Sequence, residues 1–334
     1  MRFGFGFVPS LPPADSLRVV RLGERLGYEM AWIPDQTFYR DPFLVMAHWA
    51  QATENIQLMI GVTNPYTRHP AQVARAIATV DEMSGGRANL GIGSGNRREL
   101  LLPMGHEQDA AAARSREMLV LVRALLRGET LHHESQYVTA KDLQLTWTPE
   151  RADIPIYIAA RGARMLEAAG ELADGGAIGA LVSEDGLDYA FGALERGAAR
   201  AGRSLGDFEI VSWVTCRVVD DEEAAHERLK PSVAHIIGGA PLSLLRAIGM
   251  EEGYIADLKR AYAAGGPTGA APLVTRREID MLTIVGSAAR VRETCQRLAQ
   301  RGVGQIGILL TGADADSNCQ VLERIARDVM PHFR

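Results

Sequence analysis

The side chains of this sequence that are best suited to bind a ligand follow directly after two short apolar stretches. They are Thr63 and Asn64 after the first stretch, and Ser94 and Asn96 after the second. Hydroxyl and amide groups both donate and accept hydrogen bonds, which suits them to a polar organic molecule. Whether they form one site depends on whether the fold brings the two pairs together.

The intervening sequence predicts that it does. Residues 56–62 have the length and composition of a strand, 71–83 is good helix-forming sequence that Ser84-Gly85-Gly86 ends, and 87–92 gives the next strand. Two strands joined by a helix run parallel in one sheet, so their carboxyl ends open on the same side. We therefore expect the four polar side chains to lie side by side, where α/β proteins bind their ligands.

Asp35 is the candidate for acid–base chemistry. It follows the predicted second strand, 28–33, at the same side of the sheet. A carboxylate at this place is either catalytic or a loop and helix-capping group, and the residues alone support both interpretations.

Gly91, Gly93 and Gly95 form a glycine-rich end to the predicted fourth strand. Their spacing is G-x-G-x-G, which differs from the dinucleotide-binding spacing G-x-G-x-x-G. They either form a tight turn or let the backbone approach a flat ring or a ribityl chain closely.

Arginines at or just past predicted strand ends either form a cationic rim for an anionic cofactor or lie solvated at helix starts. They are Arg97, Arg98, Arg161 and Arg164. Ala160, Arg161 and Gly162 also open a predicted helix, and the free N–H groups at such a position bind phosphate well.

Strand, loop and helix alternate along most of the chain and predict eight strands with no linker between two halves. The seventh strand is predicted at 208–219 and the eighth at 305–310. This alternation favours an α/β fold, a single closed (β/α)8 barrel over residues 1–334 with helices outside a parallel sheet.

Two excursions interrupt the alternation, at about 128–153 and 220–280. The first is predicted to contain short antiparallel strands at 136–138 and 143–147. The second contains helical pieces and a segment rich in glycine, proline and alanine, 263–272, that is predicted to be mobile.

Composition restricts the function classes. The net charge of −5 argues against a general nucleic-acid binder, and no apolar run approaches the ~18 residues of a membrane-spanning helix. Cys216, Cys295 and Cys319 lie far apart without metal or redox spacing, and no motif of a metal site occurs. We expect a cytoplasmic enzyme that acts on a small molecule and binds neither nucleic acid, membrane nor metal.

Several segments together resemble a known family. They are FGFGFVPS, AWIPDQ, GVTNPYTRHP, AIATVDEMSGGRANLGIGSG and IPIYIAARGARMLEAAGELADG, which cover most of the first 180 residues, with VGSAARVRE and GVGQIGI near the end. The sequence is similar to the bacterial-luciferase-like superfamily of barrel oxidoreductases. Within it, the sequence most resembles the deazaflavin-dependent methylenetetrahydromethanopterin reductases.

The resemblance implies a luciferase-like (β/α)8 barrel that binds coenzyme F420 or, in related enzymes, FMN. It also implies a bulge in the third strand with a non-proline cis peptide behind the ring system, which corresponds to Gly61–Val62. Asp35 and four further groups of residues would line the ring, its side chain and its phosphate. The predicted cofactor-binding residues are Gly61, Val62, Thr63, Asn64, Gly93, Ser94, Asn96, Ala160, Arg161 and Gly162.

The implied function is transfer of hydride from reduced deazaflavin to a methylene-tetrahydropterin, to methylenetetrahydrofolate or to another small substrate, by a homo-oligomer (dimer or tetramer). The archaeal reductases carry a glutamate near the end of strand one, where this chain has Gly6. Asp35 is then the nearest carboxylate expected at the barrel mouth, and we predict it as the acid that protonates the leaving nitrogen. Two other functions stay open: an FMN-dependent luciferase-like monooxygenase, and a barrel that binds flavin without turnover.

Overall fold

The computed structural model describes residues 1–36 and 38–333. The strands in this part are β1 (Arg2–Gly6), β2 (Met30–Ile33), β3 (Gln57–Thr63), β4 (Ala88–Ile92), β5 (Leu131–Glu134), β6 (Thr139–Leu143), β7 (Ile156–Ala160), β8 (Gly175–Gly179), β9 (Glu209–Val214), β10 (Cys216–Val218), β11 (Ile284–Gly286) and β12 (Gln305–Leu309). Eight of them form a closed parallel barrel in the order β1-β12-β9-β8-β7-β4-β3-β2. The predicted (β/α)8 barrel is therefore confirmed.

Helices follow the barrel strands on the outside. They are α1 (Pro13–Leu26), α2 (Pro42–Ala50), α3 (Pro70–Ser84), α4 (Ala111–Leu126), α5 (Ala163–Leu172), α6 (Glu184–Arg200), α7 (Glu222–Gly239), α8 (Leu242–Ala247), α9 (Glu252–Ala270), α10 (Arg276–Leu282), α11 (Ala288–Gln300) and α12 (Ala315–Asp328). The first three begin with proline, whose fixed φ suits the first helical position. Short helical turns occupy Arg97–Leu101, Leu102–Met104, Ala271–Leu273 and Met330–Phe333.

The strands bury side chains on both faces, as a parallel barrel requires. One face packs under the helices, and the other fills the barrel interior with a separate apolar cluster. That cluster contains Met30, Trp32, Met59, Tyr157, Ala177 and Val211, with Ala159 and Trp213 packed against it.

The third strand is irregular near its end. Its register against β4 shifts between Ile60 and Thr63, and the peptide bond Gly61–Val62 is cis. The bulge and the cis bond that the family resemblance implies are both confirmed.

The first excursion leaves the barrel after α4, so it lies at the end where the strands begin. It is an antiparallel hairpin of β5 and β6, but the predicted strand positions 136–138 and 143–147 are wrong. Ser135 Oγ accepts hydrogen bonds from the N–H groups of Tyr137 and Val138. This local bonding makes 136–138 the turn of the hairpin instead of its first strand.

The second excursion leaves after β9, at the end where the strands finish. β10 pairs in parallel with β11 outside the barrel, so the predicted strand 208–219 is two strands separated at Thr215. The segment 263–272, predicted to be mobile, is helical. Its helix α9 is interrupted at Gly266, whose φ of 64° is left-handed, and Pro267 starts the next turn.

Candidate active site at the barrel mouth

The barrel is open at the end where its strands finish. Strand-end positions of five different strands are only half-buried there: Val62, Ala160, Gly179, Trp213 and Leu309. Because these residues are apolar or lack a side chain, the opening between them suits a flat, mainly apolar ring.

Gly61 and Val62 form one wall of this opening. The Val62 side chain packs on β4, where a Cβ on Gly91 or Gly93 would lie 2.8 Å or 2.5 Å from its methyl carbons. The glycine spacing of β4 therefore makes room for Val62, and direct contact of Gly93 with a ligand stays a prediction. Gly95 has a φ of 70°, a left-handed conformation that favours glycine.

Trp32 packs against Gly61 inside the barrel and is 1% exposed. Its ring lies 5.0 Å, centroid to centroid, from that of Trp213. Its Nε1–H has no hydrogen-bond partner among the described residues. A buried donor left unpaired costs about 1–3 kcal/mol, so an acceptor supplied here by a ligand or a water would stabilise the site.

Asp35 lies at the mouth, as the sequence predicts, and is 6% exposed. Its Oδ2 accepts hydrogen bonds from Thr63 Oγ1 (2.7 Å) and Arg68 Nε (2.6 Å), and its Oδ1 accepts one from Arg68 Nη2 (3.1 Å). Arg68 also pairs with Asp41 at 2.7 Å. Both oxygens of Asp35 are therefore occupied as acceptors, and neither is free to carry a proton to a ligand unless Arg68 moves.

Thr63 and Asn64 are fully buried at the end of β3. The Thr63 hydroxyl donates to Asp35, and Asn64 Oδ1 accepts from the N–H groups of Tyr66 and Thr67. Their polar groups are used within the protein, so they shape the loop after β3. Their direct role in cofactor binding stays a prediction.

Ser94 and Asn96 lie half-buried in the loop after β4. Asn96 Oδ1 caps the following turn by accepting from the N–H groups of Arg98 and Glu99, and Gln108 Nε2 donates to the carbonyls of Ser94 and Gly95. Gln108 is a supporting residue that no local sequence pattern indicates.

Ala160, Arg161 and Gly162 lie half-buried where β7 gives way to α5. Gly162 is the N-cap of α5; its first turn has no acidic residue, and the N–H of Ala163 donates to Tyr189 Oη at 3.0 Å. The positive end of the helix still favours an anion nearby. Arg161 Nη1 donates to the carbonyl of Ile236 at 2.9 Å. Burial lowers the pKa of the Arg161 guanidinium, which remains a cation at neutral pH.

The second excursion contributes polar residues that sequence reasoning missed. His235 Nδ1 lies 2.9 Å from Tyr262 Oη, and Arg98 Nη1 donates to the carbonyl of Tyr262 at 2.9 Å. Glu99 Oε1 lies 3.8 Å from His235 Nδ1, while Glu99 Oε2 accepts from Asn96 Nδ2 at 3.0 Å. Residues from segments distant in the sequence thus meet beside Asn96.

The four predicted rim arginines differ in their surroundings. Arg98 and Arg161 both lie close enough to His235 and Tyr262 to lower the pKa of each, so the four side chains belong to one cluster. Arg97 instead pairs with Glu107 at 3.4 Å, and Arg164 is exposed.

Gly6 ends strand β1 against two tryptophans, Trp32 and Trp213. A Cβ here would lie 2.5 Å from Trp213 Cη2 and 2.6 Å from Trp32 Cβ. Trp213 therefore fills the space into which a larger residue at position 6 would extend.

A cavity of about 190 Å³ borders the mouth and is lined by Asp35, Arg68, Tyr39 and Met104, among others. A larger depression of about 500 Å³ runs along α11, but its lining is the polar side of that single helix. Within residues 1–36 and 38–333, no three His, Cys, Asp or Glu side chains are grouped as a metal site requires. The same residues include no helix with the length and apolar character needed to cross a bilayer.

A closed parallel (β/α)8 barrel with an apolar opening at the carboxyl ends of its strands defines the class of barrels that bind their ligands at that end. The model of the luciferase-like monooxygenase family matches residues 3–305, and this chain belongs to that family.

Among its relatives, the chain is 33% identical to the 5,10-methylenetetrahydromethanopterin reductase of Archaeoglobus fulgidus, over 92% of each chain. The solved structure of the coenzyme F420-dependent tetrahydromethanopterin reductase from Methanopyrus kandleri has a TM-score of 0.87 at 29% identity and covers 100% of this chain and 99% of that chain. A Baeyer–Villiger monooxygenase from Pseudomonas putida in complex with FMN shares the fold, with a TM-score of 0.67 at 19% identity over 99% of each chain. The family resemblance drawn from the sequence is confirmed.

Proposed function

We propose that this chain is an F420-dependent oxidoreductase that transfers hydride from the reduced deazaflavin to a methylene-tetrahydropterin or to methylenetetrahydrofolate. The observation that carries the proposal is the 33% identity to a methylenetetrahydromethanopterin reductase over 92% of both chains. A likeness of that length extends through the whole barrel and is not confined to one motif.

The mouth fits such a cofactor. Val62, Ala160 and Trp213 offer an apolar opening for a flat ring. The start of α5 with Arg161 offers positive charge to a phosphate or an acidic tail. When bound, the deazaflavin supplies a carbon at ring position five that gives up hydride and does not activate oxygen. Val62, Ala160 and Trp213 would hold the ring and exclude water from one of its faces. Arg161 would pair with the negative charges of the cofactor.

The FMN-dependent monooxygenase is the second candidate, because a flavin has the same shape as a deazaflavin. The FMN-bound monooxygenase from Pseudomonas putida is 19% identical to this chain, and a likeness at that level shows a shared fold alone. The deciding experiment is titration of the purified protein with F420 and with FMN, followed by the absorbance or fluorescence of each cofactor. We expect the protein to bind F420 more tightly than FMN. Tight binding of FMN with none of F420 would overturn the proposal.

Turnover separates an enzyme from a barrel that only binds the cofactor. The protein is mixed with reduced F420 and either methylenetetrahydromethanopterin or methylenetetrahydrofolate, and reoxidation of F420 is followed without oxygen. We expect the rate to depend on one of the two substrates. A protein that binds F420 but oxidises it with neither substrate would contradict the substrate part of the proposal.

We propose Asp35 as the acid of this reaction once Arg68 has moved away from its carboxylate, and its contacts define the experiment. Asp35→Asn is expected to lower kcat by ~10²–10⁴-fold, the contribution of a general acid, with little change in cofactor affinity. Arg68→Met keeps the carboxylate and removes its ion pair, so it should lower kcat far less. Equal losses in the two variants would assign Asp35 to positioning Arg68 and Thr63.

A homo-oligomer, dimer or tetramer, is proposed from a set of exposed apolar side chains after β2, in the first turn of α2 and after β4. It comprises Phe38, Tyr39, Leu44, Leu102 and Met104, of which Tyr39 and Met104 border one cavity. Light scattering of the wild type and of Leu44→Asp tests it, with Val120→Asp on α4 as the control. A wild-type monomer would refute the oligomer, and an oligomer unaffected by Leu44→Asp would place the interface elsewhere.

We also propose that the protein works in the cytoplasm. Cys216, Cys295 and Cys319 are buried and free, which suits a reducing compartment. Fractionation of the source cells tests the location, and recovery outside the cytoplasmic fraction would contradict it.

A further inference from the structure

The second excursion places a histidine among cations at the candidate cofactor site. His235 of α7 is flanked by Arg98 and Glu99 from the turn after β4, by Arg161 after β7 and by Tyr262 of α9. Lys259 of α9 donates to the carbonyls of Gly238 and Ala240, at the end of the helix that carries His235. Cations outnumber anions around His235, which favours an anionic ligand.

The hydrogen bond to Tyr262 decides which nitrogen of His235 is left to donate to a ligand. Burial raises the pKa of Tyr262, so its phenol keeps the proton, and burial together with Arg161 and Arg98 lowers the pKa of His235 against the opposing effect of Glu99. A neutral imidazole then accepts from Tyr262 through Nδ1 and carries its own hydrogen on Nε2. Nε2 has no hydrogen-bond partner among the described residues.

Arg98 and Arg161 also have N–H groups that make no hydrogen bond within the described residues. Arg98 donates to the carbonyl of Tyr262 through Nη1 and Arg161 to that of Ile236 through Nη1, and no hydrogen bond from the Nη2 of either is found in the described residues. Each guanidinium has five N–H groups. The cluster therefore has more donors than acceptors, as a site for phosphate or carboxylate does.

We propose that His235 binds the phosphate and acidic tail of the cofactor together with Arg98 and Arg161, and that it takes up a proton when that tail binds. The inference rests on the proposed function, because it requires an anionic cofactor at this mouth. A bound anion stabilises the imidazolium, so the affinity for the cofactor rises as pH falls from neutral. The rise is up to about tenfold per pH unit in the range between the pKa of His235 in the complex and its pKa in the free protein. Cofactor binding at this site is thereby coupled to pH through the second excursion.

Isothermal titration calorimetry tests the coupling without catalysis. F420 is titrated into the protein between pH 6 and 8 in buffers of different ionisation enthalpy, and the dependence of the binding enthalpy on the buffer gives the number of protons taken up. We expect uptake of up to one proton with F420 and none with its deazariboflavin core, which lacks the phosphate and the tail. Equal uptake with the core, or none with F420, would overturn the proposal.

Variants identify the residue. His235→Gln is expected to abolish the uptake, whereas His132→Gln, an exposed histidine on the hairpin of the first excursion, should leave it unchanged. Glu99→Gln alters a half-exposed side chain and removes the charge that raises the pKa of His235, so it should shift the uptake to lower pH. The Glu99 variant keeps the proposal testable if His235→Gln fails to fold, and unchanged uptake in either variant would refute it.

The outcome also separates the two proposals. F420 binding without proton uptake would refute the role of His235 and leave the proposed function intact. Binding of FMN alone would refute the F420 function, and comparing FMN with riboflavin in the same variants would then test His235. Binding of neither cofactor would overturn both.

Discussion

The two excursions differ in the end of the barrel at which they lie. The first leaves after a helix, so its hairpin lies at the end where strands begin, and Arg151 fixes it to Asp81 and to the carbonyl of Ala88. The second leaves after a strand, so its helices α7 and α9 reach Arg98 and Arg161 at the mouth. Because the active sites of such barrels lie at the carboxyl ends of the strands, only the second excursion can take part in binding.

The largest effect is expected where the first excursion is anchored. Asp81 is 2% exposed, and Arg151→Met would leave its carboxylate buried without its cation. We expect a loss of ~3–5 kcal/mol in the free energy of unfolding, measured with urea, and unchanged cofactor affinity. Lys141→Met on the same hairpin is the control and should change stability by less than ~0.5 kcal/mol. Weaker F420 binding in a folded Arg151→Met protein would show that the first excursion also affects the cofactor site.

At the second excursion the expected loss is in affinity. Arg161→Ala should weaken cofactor binding by ~1.5–3 kcal/mol, the scale of a charged hydrogen bond. Arg164→Ala, three residues further along the chain and exposed, is the matched control. Because Arg161 also binds the carbonyl of Ile236, the unfolding midpoint of each variant must be measured alongside its affinity. An unchanged affinity would assign Arg161 to holding α7 alone.

Lys259 offers a smaller, indirect effect on the same region. Its Nζ binds the carbonyls of Gly238 and Ala240, and burial lowers its pKa. Lys259→Met should loosen the end of α7 and weaken F420 binding by ~1 kcal/mol. Arg260→Met, the exposed neighbour, should leave the affinity unchanged. Equal affinities in the two variants would show that the position of α7 does not control the site.

The smallest effect is a pH dependence at the end where strands begin. Burial raises the pKa of Glu24, but hydrogen bonds from the N–H groups of Asn55, Ile56 and Glu54, with Arg87 nearby, lower it overall below its ordinary value of 4.5. Glu24 therefore contributes stability above its unfolded pKa, and the contribution is lost as pH falls through the folded pKa.

Glu24→Gln should lower the urea midpoint at pH 7, and the difference from the wild type should shrink below about pH 4. Glu150→Gln, at an exposed position, is the control. A difference that is constant with pH would show that the charge of Glu24 is not responsible.

The sequence by itself determined the barrel, the ends of most strands and the place of the mouth. These features depend on local patterns: the alternation of strands and helices, the turn residues after each strand and the right-handed connection of parallel strands. The family motifs added the bulge and the cis bond at Gly61–Val62. They also placed Asp35 and Arg161 at the open end.

Only the tertiary structure decided what those residues contact. Arg68 lies shortly after the third strand in the sequence. No local sequence pattern shows that both oxygens of Asp35 accept hydrogen bonds from it. The meeting of Glu99, His235 and Tyr262 depends on how a long excursion folds back over the mouth. Trp213 of β9 covers Gly6 of β1, although these two strands are not neighbours in the barrel. Such contacts between distant segments are set by packing, which no local pattern in the sequence encodes.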